Sequence, residues 1–419
     1  MKNHALRNAL FQIHWFVGIT AGIVLALMGV TGALLSFHHP IEDWLNRSVR
    51  TVAAQAHKPL SPAELLTRIQ LQFPERRILS LQVETAEPTR AARVTLALDA
   101  AEPRGNAGGP PGRPHGEVRY VDPYTGEVNA DPGNRGEQFF RKVMQLHRWL
   151  TWGELGNQAV GKQIVGASAL LCLFLAFSGL YLRWPARGSS WRVWLKPNFR
   201  LSGRAFLWNL HAIIGTWVLA LYVLMSLTGL QWSYDWYRKG LYSLAGVPMP
   251  ARSAGGPSAG GPSAGGPRAG GARAGGDDPV TQAEIGAAWE GFLAATSDID
   301  VGTVTILLPR TPKDSVEIRY FDRDPAHERA ANTIVLDPAS GNVIQHERYE
   351  DKSVGGKLVA SIFPLHSGSF FGVGGSVTYA VAALLMPLFT ITGWMLYLRR
   401  RRRDAGYKAA AEPSRVEAS

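Results

Sequence analysis

The sequence predicts a membrane protein with four transmembrane α-helices and two outer α+β modules in a tandem-duplicated arrangement. Four apolar runs, at about 11–35, 163–183, 211–232 and 376–398, are each long enough to cross a bilayer. The punctuation of the first run, Arg7, His14, Gly18 and Thr31-Gly32, returns at identical spacings in the third as Arg204, His211, Gly215 and Thr228-Gly229. Between the runs, the order helix, strands, Asp-Pro turn occurs twice.

Residues 1–40 hold the first span, read as a retained anchor because no small-residue cleavage signal follows it. The first outer module occupies 41–145. Its helix is expected at 60–73, with Ser61 as N-cap, Pro62 in the first turn and Glu64 completing a capping box. Strands are expected at 78–83, 93–98 and 117–121, with a Gly/Pro-rich loop at 101–115. The module closes on Asp122-Pro123-Tyr124-Thr125-Gly126, a turn with glycine where a positive φ is needed.

The second span, with the outer segment before it, covers 146–185; it contains His147 and ends on Ser178-Gly179. A basic loop at 186–204 leads to the third span at 205–235. The second module, 236–365, starts a helix at Thr281-Gln282-Ala283-Glu284 and continues with strands at 304–308 and 316–320. Its turn is Asp337-Pro338-Ala339-Ser340-Gly341. A Gly/Pro/Ser/Ala insert at 251–276 has no composition for a core and is expected to be disordered. The fourth span, 366–399, begins with His366 and contains Thr392-Gly393; a basic tail follows at 400–419.

The net charge of +11 reflects topology. Arg187, Arg192, Lys196 and Arg200 crowd one short loop without an acid, and Arg399 to Arg403 follow the last span. Positive residues in short flanks stay in the cytoplasm, so both termini are placed inside and both modules outside. This excludes nucleic acid as a partner and leaves the lipid bilayer. Cys172 is the single cysteine, which rules out an internal disulfide and thioether attachment through C-x-x-C-H, so any haem is b-type.

On a helix, His14 and Gly18 share a face, and Gly32 returns to it after five turns; His211, Gly215 and Gly229 repeat the stripe. A basic mouth, an imidazole about 10 Å further in and side-chain-free patches beyond it suit a flat, bulky guest. A haem between two such helices takes one axial His from each, with Gly18 and Gly215 as packing positions. Depth sorts the histidines into two sites: His14 with His211 at the inner level, His147 with His366 at the outer one. His38 and His39 stand in reserve for the outer site. Zinc competes, but a closed zinc site wants four ligands and no matching Cys or carboxylate lies on these faces. Arg7 and Arg204 are either propionate contacts or positive-inside anchors. His4, His57, His115, His327 and His346 lie in polar or terminal contexts and are expected to be solvated.

The Asp-Pro-x-[Thr/Ser]-Gly turns resemble the PepSY module, and the spans with their His-Gly and Thr-Gly signatures resemble the PepSY-associated transmembrane family of bacterial iron-regulated inner-membrane proteins. The resemblance covers the chain except the insert and the tail. Some members are similar to ferric-siderophore reductases that hold two b-type haems and deliver electrons to the periplasmic face. It implies His14, His211, His147 and His366 as axial ligands of two b-type haems, and a ferric siderophore or other ferric chelate as substrate. No G-x-G-x-x-G follows a strand, so the donor is expected to be a quinol or a cytoplasmic reductase. The alternative is a PepSY-type binding, sensory or peptidase-regulating protein without redox activity.

Overall fold

The computed structural model describes residues 2–98, 116–153, 155–184, 191–250, 281–309 and 315–411. The loop expected at 101–115 and the insert at 251–276 lie outside the described residues. In chain order, the helices of more than ten residues are α1 (Lys2–Ser36), α2 (Pro62–Gln72), α3 (Glu137–Trp149), α4 (Gln158–Arg183), α5 (Gly203–Ser233), α6 (Gln282–Ala295), α7 (Val354–Ser367), α8 (Gly372–Leu384) and α9 (Met386–Ala411). The strands are β1 (Ile78–Glu84), β2 (Ala92–Ala97), β3 (Gly116–Val121), β4 (Val301–Leu307), β5 (Val316–Asp322), β6 (Asn332–Leu336) and β7 (Val343–Glu347). Two compact units emerge: Met1–His38, Phe139–Arg238 and Leu365–Ser419 form the first, and His39–Gln138 and Lys239–Pro364 the second.

The first unit contains the spans. Ala5–Ser36, Gln158–Arg183, Gly203–Ser233 and Ser369–Arg402 are long and apolar enough to cross a membrane, each exceeding the about 20 residues a bilayer requires. α1 packs on α4 and α9, α4 on α5, and α5 on α9, which closes the spans into a ring. Val17, Ala21, Leu25, Cys172, Val218, Tyr222 and Ala382 fill its middle. Lipid gives apolar faces no reason to associate, so close backbone approach must hold the ring together. A methyl at Gly29 would stand 2.4 Å from the Ala383 carbonyl oxygen, and the Thr390 hydroxyl donates to the Gly22 carbonyl at 2.8 Å.

The fourth span is two helices, not one. Pro387 has no N–H to continue the ladder. The Leu385 amide falls back on Val381 and Ala382, and the Tyr222 hydroxyl donates to the Ala382 carbonyl at 2.8 Å.

The second unit is a seven-stranded antiparallel sheet in the order β3-β2-β1-β4-β5-β6-β7, with α2 and α6 packed on each other. The segment before the second span and the segment before the fourth meet at the β1–β4 seam, where Leu81 pairs with Ile306. Period-two alternation sends Leu81, Val94 and Leu96 under Leu65, Leu66 and Ile69 of α2. It sends Ile306, Ile318 and Ile334 under Ala288 and Phe292 of α6. Each such Leu or Ile contributes roughly 1.5–3 kcal/mol when fully buried.

Both helices start on the expected capping boxes. Ser61 and Thr281 accept from the amides of Glu64 and Glu284, whose carboxylates bond back to the cap amides at 2.8 and 2.7 Å. Both turns place glycine at positive φ, +74° at Gly126 and +71° at Gly341. The β6–β7 hairpin across the second turn goes beyond the strands expected from sequence. Its inward pattern of Asn332, Ile334 and Leu336 is confined to five residues.

Candidate functional site

All four histidines of the expected sites fall in the first unit, and each is seated by a second helix. On α1, one turn into the apolar run, His14 places Nδ1 2.8 Å from the Ser178 hydroxyl of α4. On α5, His211 places Nδ1 2.7 Å from the Thr392 hydroxyl of α9 and meets the Phe389 ring edge-on at 5.1 Å between centres.

The second pair arrives on helices that are not spans. His147 is in the last turn of α3, which ends at Leu150 with a φ of +53°. Backbone contact docks this end against α4, since a methyl at Gly161 would stand 1.5 Å from the Trp149 carbonyl oxygen. His366 is in the last turn of α7, which stops at Gly368 with a φ of +84°. The two rings stand 6.4 Å apart between centres, at an interplanar angle of 65°. His147 Nδ1 is 2.9 Å from the Thr31 hydroxyl of α1, and His366 Nδ1 is 3.0 Å from the Thr228 hydroxyl of α5. Trp232 covers His366 at 5.2 Å.

Seventeen residues separate His14 from Thr31, and the same number separates His211 from Thr228, so the two levels lie about 25 Å apart along the helices. All four rings are half-buried. Each Nδ1 is engaged, and among the described residues no Nε2 of the four takes part in a hydrogen bond.

The hydroxyl partners Ser178, Thr392, Thr31 and Thr228 are not among the site residues expected from the sequence. Their signal was present in the Ser/Thr-Gly dipeptides near the span ends. The glycines differ from expectation as well. Gly32 and Gly229 do not leave room on the stripes of His14 and His211. They face imidazoles from other helices, with added methyls 3.1 Å from His147 Cε1 and 3.2 Å from His366 Cε1. Gly179 receives His14 in the same way, at 3.2 Å.

Gly18 and Gly215 are less crowded, with room for a methyl in ordinary contact. A methyl there would meet only Leu175 Cδ2 at 3.9 Å and Phe389 Cε1 at 3.5 Å. Arg7 donates to the Leu182 carbonyl at 2.6 Å and so caps the end of α4, while Arg204 is exposed. His38 engages the Leu35 carbonyl through Nδ1 at 2.6 Å and stands 6.0 Å from Phe140; His39 is exposed. The His147 and His366 rings contact each other, and Trp232 packs on His366. In the second unit, His327 is buried against Tyr349 and Ser361 and is not solvated as expected, while the partly exposed His346 bonds Tyr320 at 2.7 Å.

The donor set suits a metal that arrives with most of its coordination already filled. Among the described residues no three His, Cys, Asp or Glu converge, whereas a closed zinc site takes four ligands. Two imidazole nitrogens on opposite sides of a planar group are the ligand set of a bis-histidine haem. With metal–nitrogen bonds of about 2 Å and roughly 1 Å from each nitrogen to its ring centre, such ligation needs roughly 6 Å between ring centres. The His147–His366 spacing meets that requirement.

No curated protein matches the chain. The family described as the PepSY-associated TM region matches residues 11–400, a stretch that includes His14, His147, His211, His366 and the sheet, and the chain belongs to that family.

Proposed function

We propose that this protein carries electrons across the bacterial inner membrane through two b-type haems and reduces a ferric complex, such as an iron-siderophore, on the periplasmic side. The observation that carries this reading is the 6.4 Å approach of the His147 and His366 rings, with His14 and His211 seated about 25 Å away along the helices, each of the four with Nδ1 engaged and, among the described residues, no hydrogen bond at Nε2. A haem at each level would supply reversible one-electron chemistry.

The chain itself supplies the rest. His14 with His211, and His147 with His366, would hold the two haems. The apolar ring around Val218, Tyr222 and Ala382 keeps water from the path between the levels. A quinol or a cytoplasmic reductase gives the electron, because the sequence carries no nicotinamide or flavin fingerprint. A ferric chelate takes it and becomes ferrous. The arginine-rich loop and tail support an orientation with both termini in the cytoplasm. The matched helix–strand–turn segments that meet at the β1–β4 seam are read as two PepSY-like modules of a tandem duplication, facing the periplasm.

The test is spectroscopic. Protein purified in detergent should give two haems per chain by pyridine haemochrome, all extractable with acid-acetone, and low-spin bis-histidine spectra in both redox states. One haem or none per chain would remove this reading and leave a binding or sensory protein anchored by its spans.

A further inference from the structure

We infer that the four Ser/Thr-Gly dipeptides of the spans are imidazole cradles, in which the hydroxyl fixes the tautomer and rotation of a ligating histidine and thereby tunes the haem it holds. The inference rests on the di-haem reading above. It assigns roles to Thr31-Gly32, Ser178-Gly179, Thr228-Gly229 and Thr392-Gly393 that ligation alone does not require.

Each hydroxyl has a single proton, and each has a helical carbonyl to receive it. Thr31 lies 2.8 Å from the Leu27 oxygen, Ser178 2.6 Å from Phe174, Thr228 2.6 Å from Leu224 and Thr392 2.7 Å from Leu388. This is the usual back-bond of a Ser or Thr inside a helix. With the proton given to its own helix, the oxygen can only accept, so the imidazole must donate through Nδ1–H. His366 shows the same polarity independently. Its Nδ1 is also 3.0 Å from the Met225 carbonyl oxygen, which is an acceptor and nothing else. The Nδ1–H tautomer leaves the lone pair on Nε2, the nitrogen that must meet a metal. The same arrangement recurs four times, between α1 and α4, α5 and α9, α3 and α1, and α7 and α5.

The glycine gives the cradle its depth. A methyl at Gly32, Gly179 or Gly229 would crowd Cε1 of the seated ring at 3.1–3.2 Å and turn it. At Gly393 a methyl meets nothing within 4 Å, so the His211 cradle depends on Thr392 alone.

The partner's chemistry sets the consequence. A carboxylate at Nδ1 would draw the proton away and make the imidazole a stronger donor to iron; a hydroxyl leaves it neutral. A neutral ligand stabilises the ferric state less, so these cradles hold the haem potential above the value a carboxylate partner would impose. Ring rotation is the second property. Fixing both rings fixes the angle between the imidazole planes, 65° at the His147–His366 level, and the electron paramagnetic resonance anisotropy of a low-spin ferric haem follows that angle.

The experiment compares wild type with Thr31→Val and Thr228→Val, which keep the shape but remove the acceptor, and with Thr31→Ser and Thr228→Ser, which restore it. Haem is counted optically, the ferric g values are read by paramagnetic resonance, and midpoint potentials are titrated. The valine variants should keep two haems, shift the g values of one of them and change its redox equilibrium by about tenfold, or about 59 mV for one electron. The serine variants should return both readouts to wild type. If a valine variant does not accumulate, Gly32→Ala takes its place and should shift the g values through ring rotation. Two haems with unchanged g values and potentials in the valine variants would overturn the cradle while leaving the di-haem reading intact. A wild-type protein without haem would overturn both.

Discussion

His147 and His366 face each other with ring centres 6.4 Å apart, although neither belongs to a span and each reaches its place at the last turn of a separate helix. Their hydroxyl partners, Thr31 and Thr228, are at matching positions of the repeated stripe on α1 and α5. His14 and His211, at the other level, belong to that stripe itself.

The two levels should therefore lose haem one at a time. His147→Ala or His366→Ala should lower the pyridine haemochrome count from two to one, and so should His14→Ala or His211→Ala. About 25 Å of apolar packing between the levels keeps the remaining site intact. Loss of both haems from any single variant would show the levels to be one cooperative site.

Gly161 offers a structural test of the same geometry. A methyl there would overlap the Trp149 carbonyl, so Gly161→Ala must push the end of α3 away from α4. Overpacking of this kind costs about 1–3 kcal/mol. His147 is only two residues from Trp149, so the variant should lose the outer haem while keeping the inner one. Separate optical signatures of the two haems, or the count alone, would read this. An unchanged count would mean that α3 is not held by that contact.

Much of this is legible in the sequence, and the boundary between what is and is not is physical. Apolar length and identical spacing are properties of one strand of chain, so the spans and the His14/His211 stripe were legible. Capping boxes and Asp-Pro-Gly turns are local too, and Ser61, Thr281, Gly126 and Gly341 do what their sequence context required. What Gly32 faces is a contact between helices far apart in sequence. Periodicity along α1 made it look like room for a guest of His14, whereas it seats His147 from α3. The β1–β4 pairing is hidden for the same reason, since each strand alone reads as an edge of its own module.

The second unit should weaken as pH falls, with His327 contributing. Burial holds this imidazole below its ordinary value of 6.5, helped by Arg329 and opposed by Glu328. Its Nδ1 accepts from the Arg329 amide at 3.1 Å, a bond that protonation would abolish. A histidine with a lowered folded pKa binds its proton more readily when unfolded. Its stabilisation is therefore complete above about pH 6.5 and is lost as pH drops toward the folded pKa. One such group contributes at most about 1.4 kcal/mol per pH unit in that window. Thermal unfolding of the full chain from pH 7 to 5 should show a steeper fall for wild type than for His327→Gln. Equal slopes would exclude His327 as the cause.

The arginine-rich flanks make a topological prediction. Reporters placed after Ser419 and between Ser189 and Ser190 should be active in the cytoplasm, and one inserted within residues 255–266 should be active in the periplasm. The reverse labelling would invert the orientation and the direction of electron flow with it.

Electron flow itself distinguishes the two levels most sharply. If the donor acts from the cytoplasm, electrons must pass the His14/His211 level before the His147/His366 level. His211→Ala should then keep an outer haem that dithionite reduces but the physiological donor does not. His366→Ala should keep an inner haem that the donor reduces, with no ferrous product formed outside. Both variants should lower reduction of an external ferric chelate to background, because steps in series fail together. A quinol acting at the outer leaflet would reverse the two spectral patterns while leaving the loss of ferric reduction unchanged in His366→Ala. Deleting 251–276 is the control: its Gly/Pro/Ser/Ala composition offers no haem ligand, so haem content and rate should stay near wild type. Undiminished ferric reduction in His366→Ala, the variant that must lose it whichever side the donor acts from, would remove electron transfer as the function of these imidazoles.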